Sequence, residues 1–304
     1  MKFGARVASG CRWQRVVLLW ALAGMAPAHA LDAASLTARH TALREQLASN
    51  PFKRPLYLES LEAAGRLKGD IYTQIEQPFG EVAPALQGMD RWCDILILHL
   101  NVKGCRASSP KAGDRLSVSI GRKFDQPLGD AYGFEFLYRV VTASADYLQV
   151  VLSADEGPLG TSAYRVVLEV VPLDARRSFL HLSYAYAYGM TARLAMQGYL
   201  GTIGRNKVGF SVTGHTADGR PVYIAGTRGV IERNTMRYYL AIEAYLGALS
   251  APAAQQAERR LNAWFDGVER YPAQLHEMER GEYLDMKRRE IARQQAPGPT
   301  ATAK

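Results

Sequence analysis

The chain lacks most of the marks by which a sequence declares its chemistry. It has three cysteines in 304 residues and no Cys-x-x-Cys pair, which removes a thioredoxin-type redox centre. No second Cys pair or His pair stands at ligand spacing, which argues against a metal site. His40, His99, His181, His215 and His276 are scattered singly. There is no Gly-x-Ser-x-Gly elbow, His-Glu-x-x-His helix or phosphate-binding loop, so no catalytic residue and no cofactor is assigned. No Asn-x-Ser/Thr site occurs, which fits a bacterial periplasm better than a eukaryotic secretory path. Beyond the first thirty residues no apolar run approaches the roughly 18 residues of a transmembrane helix. No repeat of fixed period is present.

The first thirty residues are the most informative. Lys2, Arg6, Arg12 and Arg15 form a positive n-region, Val16 to Ala23 begins a short apolar stretch, and Ala28-His29-Ala30 offers small residues at a cleavage site. This is the three-part pattern of a secretory signal peptide, cleaved after Ala30. The expectation is an exported, periplasmic protein working without ATP or NADH; the alternative is an N-terminal membrane anchor. Cys11 precedes the apolar core and cannot be a lipidated cysteine. Four of the 37 Lys+Arg and none of the 29 Asp+Glu lie in this segment, leaving 33 against 29, a formal +4. That mild excess is no nucleic-acid footprint. It leaves weak attraction to an anionic membrane surface as a candidate interaction. Two cysteines remain after cleavage, Cys93 and Cys105, an even count in an oxidising compartment. A disulfide between them is expected, with two buried thiols as the alternative.

Five stretches follow from pattern and punctuation. Residues 31–55 read as an N-terminal helical cap, with Leu36, Leu43 and Leu47 at helical period before Ser49-Asn50-Pro51. Leu56 to Gln77 reads as one long strand, kinked at Gly65 or Gly69. Val82 to Leu96 suggests two short helices, divided by Pro84 and Gly88. From Leu98 to Tyr188 six short strands alternate with turn-rich spacers, which suggests a strongly curved antiparallel sheet or a barrel. The first of the six begins at His99. After Met190 the chain is mainly helical. A strand pair flanks His215 to Arg220, the strongest helix runs from Gly229 to Leu249, and helices over 254–268 and 275–293 form a C-terminal extension to 296. Residues 297–304 look disordered.

A long strand, one or two helices, six antiparallel strands and a long helix resemble the START-like, or Bet v 1-like, helix-grip superfamily. The resemblance is carried by Gly69-Asp70-Ile71-Tyr72-Thr73-Gln74-Ile75-Glu76-Gln77-Pro78-Phe79 with the Trp92 helix, by the strands Tyr164–Leu173 and Phe179–Tyr188, and by the Arg228–Leu249 helix. It covers residues 56–249 and implies an α+β fold, a curved antiparallel β-sheet gripping a long C-terminal helix, with extra C-terminal helices. The strand pair around His215 and everything after Ser250 depart from the minimal fold. Either Met190–Leu200 or Gly229–Leu249, or both, could therefore be the gripped helix. The superfamily binds sterols, phospholipids, fatty acids or polyketides, and some members are cyclases or hydrolases. The resemblance thus implies a lipid or other apolar small molecule in an internal cavity, and the fold alone does not choose further.

Candidate ligand-binding residues follow from side-chain pattern. Tyr132, Phe134, Phe136 and Tyr138 share one strand face, and Tyr184, Tyr186 and Tyr188 share another. Aromatic stripes are commonly plain core, but buried phenols need polar partners. The small face of Ser183, Ala185 and Ala187 is where a helix could lie close. Arg233, Asn234 and Arg237 adjoin the apolar seam of the Gly229–Leu249 helix. The bland reading is a solvated face with Arg228 paired to Glu232. The functional reading is a cluster at a cavity mouth that holds a carboxylate or phosphate head group. Glu135 is expected to face solvent. Together these features point to a periplasmic START-like binder of a lipid or other apolar molecule, serving envelope lipid handling. The rivals are an envelope scaffold protein without a ligand, and a cofactor-free enzyme on an apolar substrate.

Overall fold

A computed structural model describes residues 32–295, apart from 110, 112 and 203. The expected signal peptide and C-terminal tail lie outside the described residues.

The stretch expected as one long strand is a hairpin. Strands β1 (Leu56–Ala63) and β2 (Arg66–Ile75) pair from Leu56 opposite Thr73 to Ala63 opposite Arg66. The chain reverses at Ala64 and Gly65, whose φ angles are +48° and +76°. That left-handed pair twists with the strands, and glycine adopts it without a Cβ penalty. A single glycine amid continuous alternation disguised the turn as a kink. Helices α3 (Phe79–Leu86) and α4 (Met89–Leu96) follow, divided as expected, with Gly88 capping the second. Residues expected to open the next strand at His99 form a turn instead, and β3 (Val102–Ser108) starts three residues later. Strands β4 (Arg115–Ile120), β5 (Tyr132–Ala143), β6 (Leu148–Glu156), β7 (Thr161–Pro172) and β8 (Ser178–Tyr188) complete the six.

All eight form one antiparallel sheet in the order β1-β2-β8-β7-β6-β5-β4-β3, so the opening hairpin closes against the last strand. Side chains alternate across it. Leu67 and Ile71 of β2, Val150 and Leu152 of β6, Leu168 and Val170 of β7, and Leu180 and Leu182 of β8 join Trp92, Met236 and Leu240 in the main core. On the other face Tyr72, Val171 and Phe179 receive Leu36, Leu43 and Leu47 from α1 (Ala33–Ala42) and α2 (Arg44–Ala48).

The gripped helix is α6 (Gly226–Gly247), which packs on β1, β2 and β8. Helix α5 (Met190–Gly201) lies elsewhere, against β8 and the β6–β7 turn. The close approach between sheet and grip occurs at Gly69, not at the Ser183 face of β8. A Cβ on Gly69 would stand 2.3 Å from Thr235 Oγ1. Tyr184 and Tyr186 are the β8 side chains that turn toward α6, while Ser183 shares the outer face with His181. The strand pair around His215 is a separate hairpin, β9 (Val212–His215) and β10 (Pro221–Tyr223).

Helices α7 (Ala253–Glu269), α8 (Pro272–Leu275) and α9 (Arg280–Gln295) follow. The last, charged as it is, is anchored through its polar residues. Lys287 Nζ donates to His99 O at 2.7 Å and Val102 O at 2.8 Å, and pairs with Glu290 at 2.7 Å. Glu290 also receives Lys103 of β3 at 3.0 Å. Burial pushes the Lys287 ammonium down to about 8, against the pull of Glu290. These groups satisfy one another, the condition under which buried charge is tolerated. The Cys93–Cys105 disulfide is formed, with Cα atoms 5.1 Å apart, and joins α4 to β3.

Candidate functional site

Between α6 and the far half of the sheet lies a cavity of about 370 Å3. Strand alternation supplies its wall: Phe134 and Phe136 from β5, Tyr164 from β7, Tyr184 and Tyr186 from β8. Tyr164 stacks on Tyr186 at 5.3 Å, Phe134 meets Phe136 at 4.9 Å, and Tyr184 meets Tyr238 of α6 at 5.1 Å. Val230, Arg233, Asn234, Arg237 and Tyr238 line it from α6. His99 and Asn101 come from the turn before β3, and Lys123 from the loop after β4. Ala192, Ala195 and Met196 of α5, with Pro158 and Leu159, roof it.

Seven of the ten expected ligand-binding residues meet here: Phe134, Phe136, Tyr184, Tyr186, Arg233, Asn234 and Arg237. The other three do not. Tyr132 is exposed at the outer end of its strand face. Tyr138 is buried, its hydroxyl donating to Gln87 O at 2.6 Å. Tyr188 donates to Glu62 at 2.5 Å at the far end of β8. Each stripe shares a strand face, but the face of β5 extends beyond the cavity at both ends and that of β8 at one. Tyr164, Tyr238 and His99 were not singled out. Tyr164 heads the alternation Tyr164, Val166, Leu168 on β7, and Tyr238 stands one helical turn after Asn234, so both had a periodic signal. His99 had none.

The two arginines differ. Of the two readings given for them the solvated face fails, since Arg233 is 2% exposed and Arg237 1%. Arg237 Nη2 donates to Glu277 at 2.7 Å and to Leu275 O at 3.2 Å. Glu277 also takes Lys123 at 2.6 Å. Burial works to raise the Glu277 carboxyl, but Arg237 and Lys123 outweigh it and hold it below its ordinary value. Arg233 instead donates Nη1 to Val208 O at 3.2 Å and meets no carboxylate among the described residues. The neighbouring Glu232 is spent elsewhere. It accepts from Ser60 at 2.6 Å, Phe210 N at 2.6 Å, Ser211 N at 2.9 Å and Ser211 Oγ at 2.7 Å. Nor does it pair with Arg228, which donates to Ser60 O at 2.9 Å.

Three phenols and an imidazole add further donors. The hydroxyls of Tyr184, Tyr186 and Tyr238 bond to no described residue, and burial pushes all three phenols up, so they stay protonated. His99 Nδ1 accepts from Asn101 N at 3.1 Å, which places the ring proton on Nε2. Nε2 has no partner among the described residues. Burial, then Arg237, Lys287, Lys123 and Lys103, holds this imidazole well below its usual range, so it is neutral.

Two other features hold charges that are paired within the chain. A larger open groove of about 930 Å3 runs past Phe52, Tyr239 and Tyr271. Arg54, one of the charges that line it, is paired with Glu243 and with Tyr239 Oη at 2.5 Å. On the outer face His181 is held between Asp70 at 2.9 Å and Glu169 at 2.7 Å, under a stacked Tyr72 ring at 4.3 Å. Glu135 faces outward, as expected, beside Arg115. Among the described residues no group of three His, Cys, Asp or Glu is placed to hold a metal ion, and no helix is long and apolar enough to cross a membrane.

The strand order, the helices between β2 and β3, and α6 held against the sheet define an α+β helix grip. The fold is START-like. No family model matches the chain, and no curated protein matches it. Among solved structures it is similar to the lipid transfer and protein localization domain of human StarD13, at 9% identity and a TM-score of 0.34, covering 47% of this chain and 76% of that one. The Zhui aromatase/cyclase from Streptomyces sp. R1128 gives 12% identity and 0.32, covering 70% and 95%. A START superfamily protein from Mycobacterium smegmatis gives 10% and 0.30, covering 45% and 92%. The assignment rests on the topology and not on these superpositions.

Proposed function

We propose that this protein binds an apolar or aromatic small molecule bearing one acidic group, inside the cavity between α6 and the sheet. The observation that carries this is Arg233, a buried guanidinium without a carboxylate, lining an aromatic hollow. A buried, unneutralised charge is costly, and a ligand carboxylate or phosphate supplies the missing partner with bidentate geometry. The unbonded phenols add donors for further ligand oxygens. A volume of about 370 Å3 lies at the small end of ligand pockets. It suits one ring system or one chain better than a two-chain phospholipid. The hollow also counts against a purely scaffolding role.

The workplace in this reading is the periplasm, reached through the Met1–Ala30 signal, and the role is envelope lipid handling. Lipid transfer and aromatase/cyclase activity, named for two of the structural neighbours, are both compatible with it. The neutral His99 beside the cavity favours, as a second reading, a cofactor-free enzyme on the same class of molecule.

The test is dye binding to the exported chain. Anilinonaphthalene sulfonate carries an anion on an aromatic body, and N-phenylnaphthylamine is a neutral analogue. Arg233→Met should weaken the anionic dye about ten-fold or more and leave the neutral one unchanged. Equal effects on both dyes, or no binding of either, would remove Arg233 as the anchor. Native mass spectrometry with organic extraction then identifies any co-purifying ligand, and N-terminal sequencing locates the cleavage site.

A further inference from the structure

The link between α4 and β3 is neither helix nor strand, yet every carbonyl from Leu98 to Val102 accepts a hydrogen bond. Tyr283 Oη of α9 donates to Leu98 O at 3.0 Å, and Lys287 Nζ to His99 O at 2.7 Å and Val102 O at 2.8 Å. Lys103 Nζ donates to Leu100 O at 3.0 Å, and Gly121 N to Asn101 O at 2.7 Å. The three side-chain donors are buried, and Glu290 joins the two lysines at 2.7 and 3.0 Å. Main-chain carbonyls outside helices and sheets need other partners. Here three of the five take theirs from α9, 185 to 188 residues further along the chain.

The same link gives the cavity His99 and Asn101. The His99 ring stacks on Tyr238 of α6 at 4.7 Å and accepts Asn101 N at Nδ1. Asn101 Nδ2 donates to Gly121 O at 2.7 Å, at the start of the loop that carries Lys123. Arg289 of α9 pairs with Asp125 of that loop at 2.8 Å. Helix α9 thus holds the main chain on either side of His99, while the cavity takes the side chain. A binding side chain keeps one orientation only when its support is fixed by other groups.

We propose that Tyr283 and Lys287 are positioning residues for the cavity: α9 sets the main chain from Leu98 to Val102, and with it the angle at which the His99 ring stands in the wall. Neither side chain lines the cavity itself. The use of that angle by a ligand rests on the ligand-binding reading; the positioning does not. The experiment follows the His99 ring by heteronuclear NMR in the exported chain and measures the same two dyes. Tyr283→Phe removes one hydroxyl and keeps the ring stacked on Trp264 at 4.8 Å. Lys287→Met removes the bonds to His99 O and Val102 O and leaves Glu290 with Lys103. Leu36→Ala, in the separate cluster on the outer face, is the control for lost stability alone. All three should lower the urea midpoint. Only the first two should move the His99 ring signals and weaken dye binding, by about five-fold. In a His99→Ala background they should cost no further affinity, because they act through that side chain. If Lys287→Met does not fold, Tyr283→Phe carries the test alone. The proposal is overturned by His99 signals that stay in place, by equal movement of them in Leu36→Ala, by undiminished dye affinity, or by losses that persist in full without His99. If the signals move as expected and the parent binds neither dye, the ligand-binding reading falls and the positioning stands.

Discussion

Arg233 and Arg237 occupy successive turns of α6 and line one cavity, yet only Arg237 is neutralised by a carboxylate, Glu277 at 2.7 Å. The pair should therefore respond in opposite ways to the same substitution. Arg237→Met strips Glu277 of a buried partner and should cost about 2–3 kcal/mol, less than a full unpairing because Lys123 remains. Arg233→Met removes an uncompensated charge and should keep or raise the melting temperature. Equal destabilisation in denaturant unfolding would contradict the assignment.

Gly69 sets how closely sheet and helix approach. Its missing Cβ would stand 2.3 Å from Thr235 Oγ1 and 3.1 Å from Thr235 Cβ. Gly69→Ala should cost about 1–3 kcal/mol through overpacking. Adding Thr235→Ala should recover part of that, since the hydroxyl is the nearest atom. Additive losses in the double variant would show that the two residues do not touch.

Two buried histidines should give stability opposite pH dependences. Burial opposes the charge on His181, but Asp70 and Glu169 outweigh it and raise its pKa. Its contribution is complete below about 6.5 and is lost as pH rises through the raised value. His99 is depressed, first by burial. Below about 6.5 the unfolded chain takes a proton that the folded ring refuses, so stability falls with pH. The gap between parent and His181→Asn should be widest in acid and narrow toward alkaline pH. His99→Gln should gain on the parent as pH falls. Urea midpoints across this range are the measurement, and parallel profiles would refute both signs.

Cys93 and Cys105 close a loop of 12 residues in sequence separation. Replacing both with serine should cost about 3 kcal/mol on the chain-entropy model. A reductant should lower the parent's melting temperature by a matching amount and leave the double variant unmoved.

Much of this was legible in the chain because periodicity reports burial. Leu36, Leu43 and Leu47 announced the N-terminal helices, and the alternation in Tyr132–Val140 and Tyr164–Val171 announced strands. Arg233 and Arg237 beside an apolar seam announced the cavity's cations. What stayed hidden depends on partners distant in sequence. Nothing local distinguishes Arg233 from Arg237, because Glu277 lies beyond two further elements. Nothing local shows that Lys287 and Glu290 turn inward from a charged helix, because their partners are Lys103 and the carbonyls of His99 and Val102. The turn at Gly65 was masked by uninterrupted alternation, and Tyr132 continues a strand face past the cavity's rim.

The closure of β2 on β8 carries a kinetic consequence. Gly69 sits opposite Tyr184, and Arg66 opposite Ala187, so a strand made early waits for one made more than a hundred residues later, and α6 follows both. Such non-local closure predicts slow folding from a nucleus that no N-terminal fragment can assemble. Until β8 arrives, β2 presents a raw edge with Leu67 and Ile71 beside it, the kind of surface on which incomplete chains aggregate.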